Sequence, residues 1–248
     1  MEKKNFYQNP EVAKDYDQDR LNTNFRRYKH YYETKLLLVS LEPKENIIEV
    51  GSGTGRLTKE LLERGFRITP TDYSAAMLEI FKKNIPGVQP QIADITNLPF
   101  ADNSFDATFS LRVIWHLMSE EKQQLALREL ARVTKNKIII DITNDRHINN
   151  KLLSFLRGIY FWLKPNTFSL ANEETFAMNL DKFILWSKTA GWEVKKIYPL
   201  DVLPQLWLNF IPSSLAKLFF PALYALDRLA SYIYPPQRYL ICLSKKKI

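Results

Sequence analysis

Between residues 46 and 143, short apolar runs with strand character alternate with longer amphipathic runs, and this alternation limits the folds available to the chain. The strand patterns are NIIEV, FRITPTD, VQPQIAD, FDATFSL and KIIIDIT; the helical patterns among them include GRLTKELLERG, SAAMLEIFKKN and SEEKQQLALRELARVTKN. Strands that alternate with helices pair in parallel and are covered by helices on both sides. The sequence therefore predicts an α/β fold, a doubly wound parallel sheet with helices on both faces.

The remaining segments fit one globular domain, since 248 residues with 46% hydrophobic content lie at the upper end for a single core. An N-terminal helical segment, 1–42, precedes the core, 43–145. After it, helix and strand patterns return in 173–200 and a last strand follows at 238–245. Two apolar insertions, 146–174 and 201–236, interrupt the alternation before these last strands.

Charge and cysteine content exclude some classes of protein. The net charge of +8 allows attraction to nucleic acid or acidic lipid, but Lys and Arg are spread along the chain, so no nucleic-acid partner is expected. The single cysteine, Cys242, excludes an internal disulfide and a cysteine-based zinc site, and no metal is predicted. The polar start MEKKNFYQNP does not resemble a signal peptide, so a cytoplasmic location is expected.

The junction IIEVGSGTGRLTKEL is the strongest pointer to a ligand. Gly51, Gly53 and Gly55 stand at alternate positions, although the whole chain has only seven glycines. The dinucleotide fingerprint needs its third glycine at relative position six, which is Arg56 here, and a P-loop needs Gly-Lys-Ser/Thr at the helix start. An adenosine-type ligand with little or no phosphate remains.

Four ordered motifs, EVGSGTG, TDYS, IADITNLPF and FDATFSLRVIWHL, resemble those of the class I S-adenosylmethionine-dependent methyltransferases. The resemblance is close over 47–143 and holds in outline over 173–200 and 238–245. It implies a Rossmann-like, seven-stranded, mostly parallel sheet, S-adenosyl-L-methionine as cofactor and a methyltransferase activity.

The resemblance also implies roles for individual residues. Asp72, which ends the second strand, would accept hydrogen bonds from both ribose hydroxyls, as the acid does in NAD sites. Asp94 and the Ile95 amide would bind the adenine, with Tyr73 and Met77 against the ring. The residues expected at the methionine end are Glu49, Gly51, Ser52, Gly53, Gly55, Ser110 and Leu111.

The acceptor is expected to be a small, apolar or aromatic molecule, such as a quinone, a lipid-related compound or a secondary metabolite. His116 is the candidate base, because it follows the fourth strand near the expected methyl group. The resemblance implies that acceptor specificity resides mostly in the N-terminal helical lid, 1–42, and in the two insertions. Both insertions are rich in aromatic residues, and we expect 201–236, with Trp207 and Phe210, to cover the acceptor pocket. Alternatively, this insertion would contact a membrane surface or form a dimer interface. The protein is therefore expected to be a monomer or a homodimer.

Two other functions fit the same sequence. The positive charge favours an RNA or protein methyltransferase, although no RNA-binding appendage is recognisable, and salt-sensitive RNA binding would reveal it. The chain could also be a non-catalytic module that retains the cofactor fold, since a fold does not determine a function. The intact acids and glycines named above favour an enzyme.

Overall fold

A computed structural model of the chain describes residues 7–145, 177–202 and 206–246. Helices precede, alternate with and follow the strands of one sheet. The helices are α1 (Pro10–Leu21), α2 (Asn24–Ser40), α3 (Arg56–Leu62), α4 (Ala75–Asn84), α5 (Glu120–Val133), α6 (Leu180–Thr189) and α7 (Ser213–Ala230). The strands are β1 (Asn46–Val50), β2 (Arg67–Asp72), β3 (Gln91–Ile92), β4 (Phe105–Ser110), β5 (Thr134–Thr143), β6 (Trp192–Leu200) and β7 (Arg238–Lys245). Short 3₁₀ helices span Ile114–His116 and Leu206–Phe210.

The seven strands form one sheet in the order β3-β2-β1-β4-β5-β7-β6. The first five strands are parallel, and β7 lies antiparallel between β5 and β6. The strand order reverses at β1, since β2 and β3 are added on one side of it and β4 and β5 on the other. The predicted doubly wound, mostly parallel fold is confirmed.

The central strands are buried on both faces, as a doubly wound sheet requires. In β1, Ile47 and Ile48 are fully buried in different clusters, and Ile139 and Ile138 of β5 divide in the same way. One cluster includes residues of α5 and α6, and the other includes residues of α2 and α3. The continuous apolar strands of the sequence therefore reflect two cores.

Local sequence signals explain where several helices begin. The side chains of Ser74 and Ser119 accept hydrogen bonds from the amides of Met77 and Lys122 at the starts of α4 and α5. Such caps satisfy amides that have no partner within the helix. Pro70 lies inside β2, where it removes a ladder donor, yet β1 and β2 stay in register through it. The Gly51 amide bonds to Thr71 O, so residue 70 faces the other neighbour, β3, which begins only opposite Thr71.

The described part of the 201–236 insertion packs against α2. The Phe220 ring of α7 lies 5.5 Å from the Tyr28 ring of α2, and the Tyr28 hydroxyl donates to Asp227 Oδ2 at 3.0 Å. Phe210 is 80% exposed, whereas the Trp207 side chain and the whole 146–174 insertion lie outside the described residues. None of the helices in the described part of the chain combines the length and apolarity needed to cross a membrane.

Candidate active site

The glycine loop turns sharply after β1 and is held against β2. The amides of Gly51 and Ser52 both donate to Thr71 O at 2.8 Å. Gly51 has φ +89°, and a Cβ there would lie 2.2 Å from Val113 Cγ2. Glycine is therefore required by the backbone conformation and by the close approach of the segment after β4.

The Asp72 side chain, at the end of β2, accepts hydrogen bonds from this loop and from the start of α4. Its Oδ2 accepts from the Gly53 amide at 2.7 Å and its Oδ1 accepts from the Ser74 amide at 2.8 Å. Burial raises the pKa of Asp72, and these backbone hydrogen bonds oppose the shift. Each carboxylate oxygen can accept about two hydrogen bonds, so the described contacts leave capacity for a ligand.

Glu49 is the second acid beside the loop. It is only 3% exposed, and its carboxylate accepts a hydrogen bond from the Thr58 hydroxyl of α3. Burial raises its pKa to about 7, while the Thr58 hydrogen bond and Arg56 oppose the shift. At neutral pH, a nearby positive ligand would therefore favour the ionised form of this side chain.

A further group of predicted residues lies at the carboxyl ends of β2 and β3. Asp94 Oδ1 accepts from the Thr96 amide at 2.9 Å and from the Thr96 hydroxyl at 2.8 Å. Ile95 and Met77 are 5% and 2% exposed, whereas Tyr73 is 42% exposed. The Asp94 carboxylate therefore lies beside apolar surface formed by the buried side chains of Met77 and Ile95.

One pocket contains most of the predicted site residues. Those that line it are Glu49, Gly51, Ser52, Gly53, Asp72, Tyr73, Met77, Asp94, Ile95, Leu111 and His116. Gly55 and Ser110 were also predicted as binding residues but are not among the residues that line it. Gly55 lies against α4, where an added Cβ would be 2.7 Å from Phe81 Cδ2. The Ser110 hydroxyl donates to Val50 O at 2.8 Å and so joins β4 to β1.

The N-terminal segment, which is predicted to be a helical lid, also lines the pocket, although no motif indicated which of its residues do so. Tyr7 and Tyr16 form part of the wall, and their rings meet edge to face at 6.2 Å. The Ser74 hydroxyl donates to Tyr7 O at 2.5 Å. No described residue from 206 to 236 lines the pocket, so the expectation that this insertion covers it is not met there.

His116 lies at the end of the 3₁₀ helix that follows β4. Its Nε2 is 3.1 Å from Trp115 Nε1 and 3.5 Å from the Tyr7 hydroxyl oxygen. An indole N–H can only donate, so Nε2 accepts this bond and the neutral imidazole carries its proton on Nδ1. A base role through Nε2 would require the Trp115 hydrogen bond to break.

A buried ionic cluster stands behind the pocket wall. Glu33 of α2 is 1% exposed and binds Arg112 through contacts of 2.8–3.0 Å and Arg238 at 2.9 Å. Arg238 also donates to Asp141 at 2.9 Å and to Asp201 at 2.6 Å. Buried charges require such partners. The cluster therefore connects α2, the segment after β4, and the ends of β5, β6 and β7.

Two members of this region face the pocket. Arg112, with φ +63°, and Arg56, the first residue of α3, both line it. Arg56 donates to His30 Nδ1 and lies 3.8 Å from Glu33 Oε2. Burial and the nearby Arg112 lower the pKa of Arg56 to about 10, so the Arg56 guanidinium remains positive at neutral pH. The sequence signal that could have indicated Arg112 is its place directly after the predicted binding residue Leu111, in the motif FDATFSLRVIWHL.

Comparison with known proteins agrees with this geometry. A family model described as "Methyltransferase domain" matches residues 48–140. An uncharacterized methyltransferase of Oceanobacillus iheyensis is 33% identical over 103 residues, which are 42% of this chain and 48% of that protein. A demethylmenaquinone methyltransferase of Renibacterium salmoninarum is 34% identical over 97 residues, 39% of this chain and 40% of that protein. These matches thus span less than half the length of either relative.

A solved structure extends the likeness to nearly the whole chain. The Thermotoga maritima protein described as a SAM-dependent methyltransferase, possible histamine N-methyltransferase, has a TM-score of 0.61 at 20% identity and covers 96% of this chain and 98% of its own. At this identity the likeness shows the fold. The family model, these relatives and this structure support a class I S-adenosylmethionine-dependent methyltransferase.

The pocket fits the cofactor of this family, S-adenosyl-L-methionine. Ser52 is 7% exposed and lines the pocket, and its hydroxyl has no hydrogen-bond partner among the described residues. A buried hydroxyl without a partner is costly, so a polar ligand group beside it would stabilise the site. Acids at the ends of β1 and β2 and after β3 offer hydrogen-bond acceptors for the ammonium, hydroxyl and amino groups of this cofactor.

Proposed function

We propose that the chain transfers the methyl group of S-adenosylmethionine to a small-molecule acceptor. The observation that carries this proposal is the Asp72 carboxylate, which is bonded to the glycine loop through Gly53 N and keeps acceptor capacity on the pocket side. That arrangement suits two ribose hydroxyls.

The other site residues have proposed roles along the same ligand. Asp94 and the Ile95 amide would bind the adenine, between the buried Met77 and the half-exposed Tyr73. Glu49 would face the ammonium group of the methionine end, together with the glycine loop. Leu111 lines the pocket where its carbonyl could reach the same end, a role that Ser110 does not share.

The bound cofactor supplies an electrophilic methyl group on a sulfonium sulfur. The protein then has to hold the nucleophilic atom of the acceptor in line, which is worth up to about 7–11 kcal/mol in favourable intramolecular reactions. Tyr7, His116 and Leu117 line the pocket near the end of β4 and would contact the acceptor. The Nε2 lone pair of His116 accepts a hydrogen bond from Trp115. We therefore propose that this histidine contacts the acceptor and does not act as the base.

The acceptor wall combines aromatic and positive groups. Tyr7, Tyr16 and Val113 offer apolar surface, and Arg56 and Arg112 lie on the same wall. A positive charge lowers the pKa of a nearby acidic O–H or C–H group and stabilises the anion that remains. We therefore favour an aromatic or quinone-type acceptor with a weakly acidic hydrogen. The name demethylmenaquinone methyltransferase, carried by a relative, supports the same class.

The proposed function predicts saturable binding of S-adenosylmethionine and S-adenosylhomocysteine, measured by calorimetry, with no comparable binding of NAD. A second assay would follow S-adenosylhomocysteine formation with a panel of hydroquinones, neutral phenol ethers and tRNA. Turnover with hydroquinones would support the proposal. Preferred binding of NAD would contradict the cofactor assignment, and turnover restricted to tRNA would contradict the acceptor class.

We predict that His116→Ala lowers turnover and leaves the affinity for S-adenosylhomocysteine within a few-fold of the parent protein. The reason is that His116 contacts Trp115 and the N-terminal Tyr7, on the side of the pocket assigned to the acceptor. Met118→Ala, at a 42% exposed side chain nearby, is the control and should leave both properties unchanged. A large loss of cofactor affinity in a folded His116 variant would place this residue beside the cofactor.

A further inference from the structure

One face of helix α7 is buried against the rest of the protein. Ala216, Phe220, Leu223 and Asp227 are buried at spacings of three and four residues, as one helical face requires. Phe220 contacts both Tyr28 and Tyr31 of α2, with ring centroids 5.5 Å apart in each case. This face is therefore occupied and cannot bind a further partner.

A second, outer face of α7 lies about 120° around the helix from the buried one and is also apolar, but it is exposed. Its large side chains are Leu215, Leu218, Phe219, Leu226 and Leu229, which are 51%, 74%, 46%, 51% and 64% exposed. A surface helix normally carries polar residues away from its buried face. A helix that is apolar on two separate faces needs a second apolar environment.

The exposed surface continues beyond both ends of α7. Phe210 precedes the helix, and Tyr232, Ile233 and Tyr234 follow it with exposed fractions of 85%, 76% and 57%. Nine of the sixteen exposed large hydrophobic residues in the described part of the chain lie between 210 and 234. Such a concentration is typical of an interaction surface, whereas single exposed apolar residues are ordinary.

The charges around this surface have one sign. Lys217 and Arg228 are exposed, and the only acid between 206 and 236, Asp227, is buried and bonded to Tyr28. Two bases of α2 lie against the side of α7 that faces α2, since Arg27 donates to the Ser213 hydroxyl at 2.5 Å and the Lys35 ammonium lies 5.1 Å from the Tyr224 ring centroid. Lys217 and Arg228 thus form a basic border beside the outer face of α7, which has no exposed acid.

We propose that the outer face of α7, with Phe210 and residues 232–234, binds the surface of a membrane that contains anionic lipid. Interfacial helices lie in the membrane plane with an apolar face inserted and basic residues at the headgroups, and aromatic side chains are enriched at that depth. A second copy of the chain is disfavoured, because both copies carry the same basic border and a net charge of +8. The proposal concerns this surface alone and does not depend on the proposed methyl transfer.

The test is co-sedimentation of the full chain with vesicles of phosphatidylcholine alone and of phosphatidylcholine mixed with phosphatidylglycerol. We expect binding to the mixed vesicles, weakened by high salt because the basic border is screened. The double variant Leu218→Ser/Leu229→Ser should bind at least about 10-fold more weakly, since it removes two apolar side chains from the inserted face. Leu185→Ser, at a 58% exposed leucine of α6, is the matched control and should bind as the parent does.

Retained affinity for S-adenosylhomocysteine would show that the double variant is folded, and sedimentation velocity would report self-association. Equal vesicle binding by the double variant and the parent would overturn the proposal. Absence of vesicle binding would also overturn it. In that case, self-association lost in the double variant would identify a second copy as the occupant, and a monomer in both proteins would point to coverage by the chain itself.

Discussion

Replacing Glu33 by glutamine is expected to lower the free energy of unfolding by about 3–5 kcal/mol, the range measured when one partner of a buried ion pair is removed. Glu33 is 1% exposed and is shared by the guanidiniums of Arg112 and Arg238. Glutamine preserves the shape but removes the negative charge, so two buried cations would lose their common partner. Urea unfolding followed by circular dichroism would measure the change.

The matched control for this variant is Glu79→Gln on α4. Glu79 pairs with Lys82, but its side chain is 65% exposed, and exposed pairs contribute only about 0–1 kcal/mol. Similar losses in the two variants would contradict a special role for the buried cluster.

The effect of Glu33 should also depend on pH. Burial raises the pKa of Glu33, but Arg112, Arg238 and Arg56 lower it more, so its pKa lies well below the ordinary value of 4.5. A depressed pKa contributes stability above the unfolded-state pKa and loses it as the pH falls. The difference between the parent and Glu33→Gln should therefore be full above pH about 5 and shrink below it. A difference that grows in acid would contradict this assignment.

Asp72→Ala is expected to weaken S-adenosylhomocysteine binding by about 1.5–3 kcal/mol, or about 10- to 150-fold, because hydrogen bonds to a charged carboxylate would be lost. The variant should still fold, with some loss of stability, since the Gly53 and Ser74 amides also lose their acceptor. Calorimetry would measure the affinity. The control is Asp102→Ala, whose side chain is 70% exposed on a surface turn and far from the pocket lining.

A ligand pair sharpens this prediction. Adenosine and 2′,3′-dideoxyadenosine differ only in the hydroxyls assigned to Asp72. Removing them should weaken binding to the parent protein and change binding to Asp72→Ala much less, as expected for groups that interact directly. Equal losses in both proteins would mean that Asp72 supports the loop without contacting the ribose.

Local patterns predicted most of the cofactor half of the molecule. The strand and helix patterns gave the correct element types, because side-chain periodicity and caps such as Ser74 act within a few residues. Asp72 and Asp94 meet in one pocket because both follow adjacent parallel strands, whose carboxyl ends lie at the same edge of a sheet. Gly55 does not line the pocket, since it is needed for close helix contact, and such a glycine cannot be told by sequence from one needed for a ligand.

The remaining features depend on residues far apart in the chain. Glu33, Arg112, Asp141, Asp201 and Arg238 form one cluster across more than two hundred positions, and no short motif contains two of them. The aromatic segment 201–236 had the composition of a pocket cover, yet its described part lies on α2, outside the pocket. The sequence by itself determined the sheet, the glycine loop and the acids at the strand ends, since each follows from neighbouring residues. Only the tertiary structure decided the partners of the buried charges and the two faces of α7, because these depend on which distant surfaces meet when the chain folds.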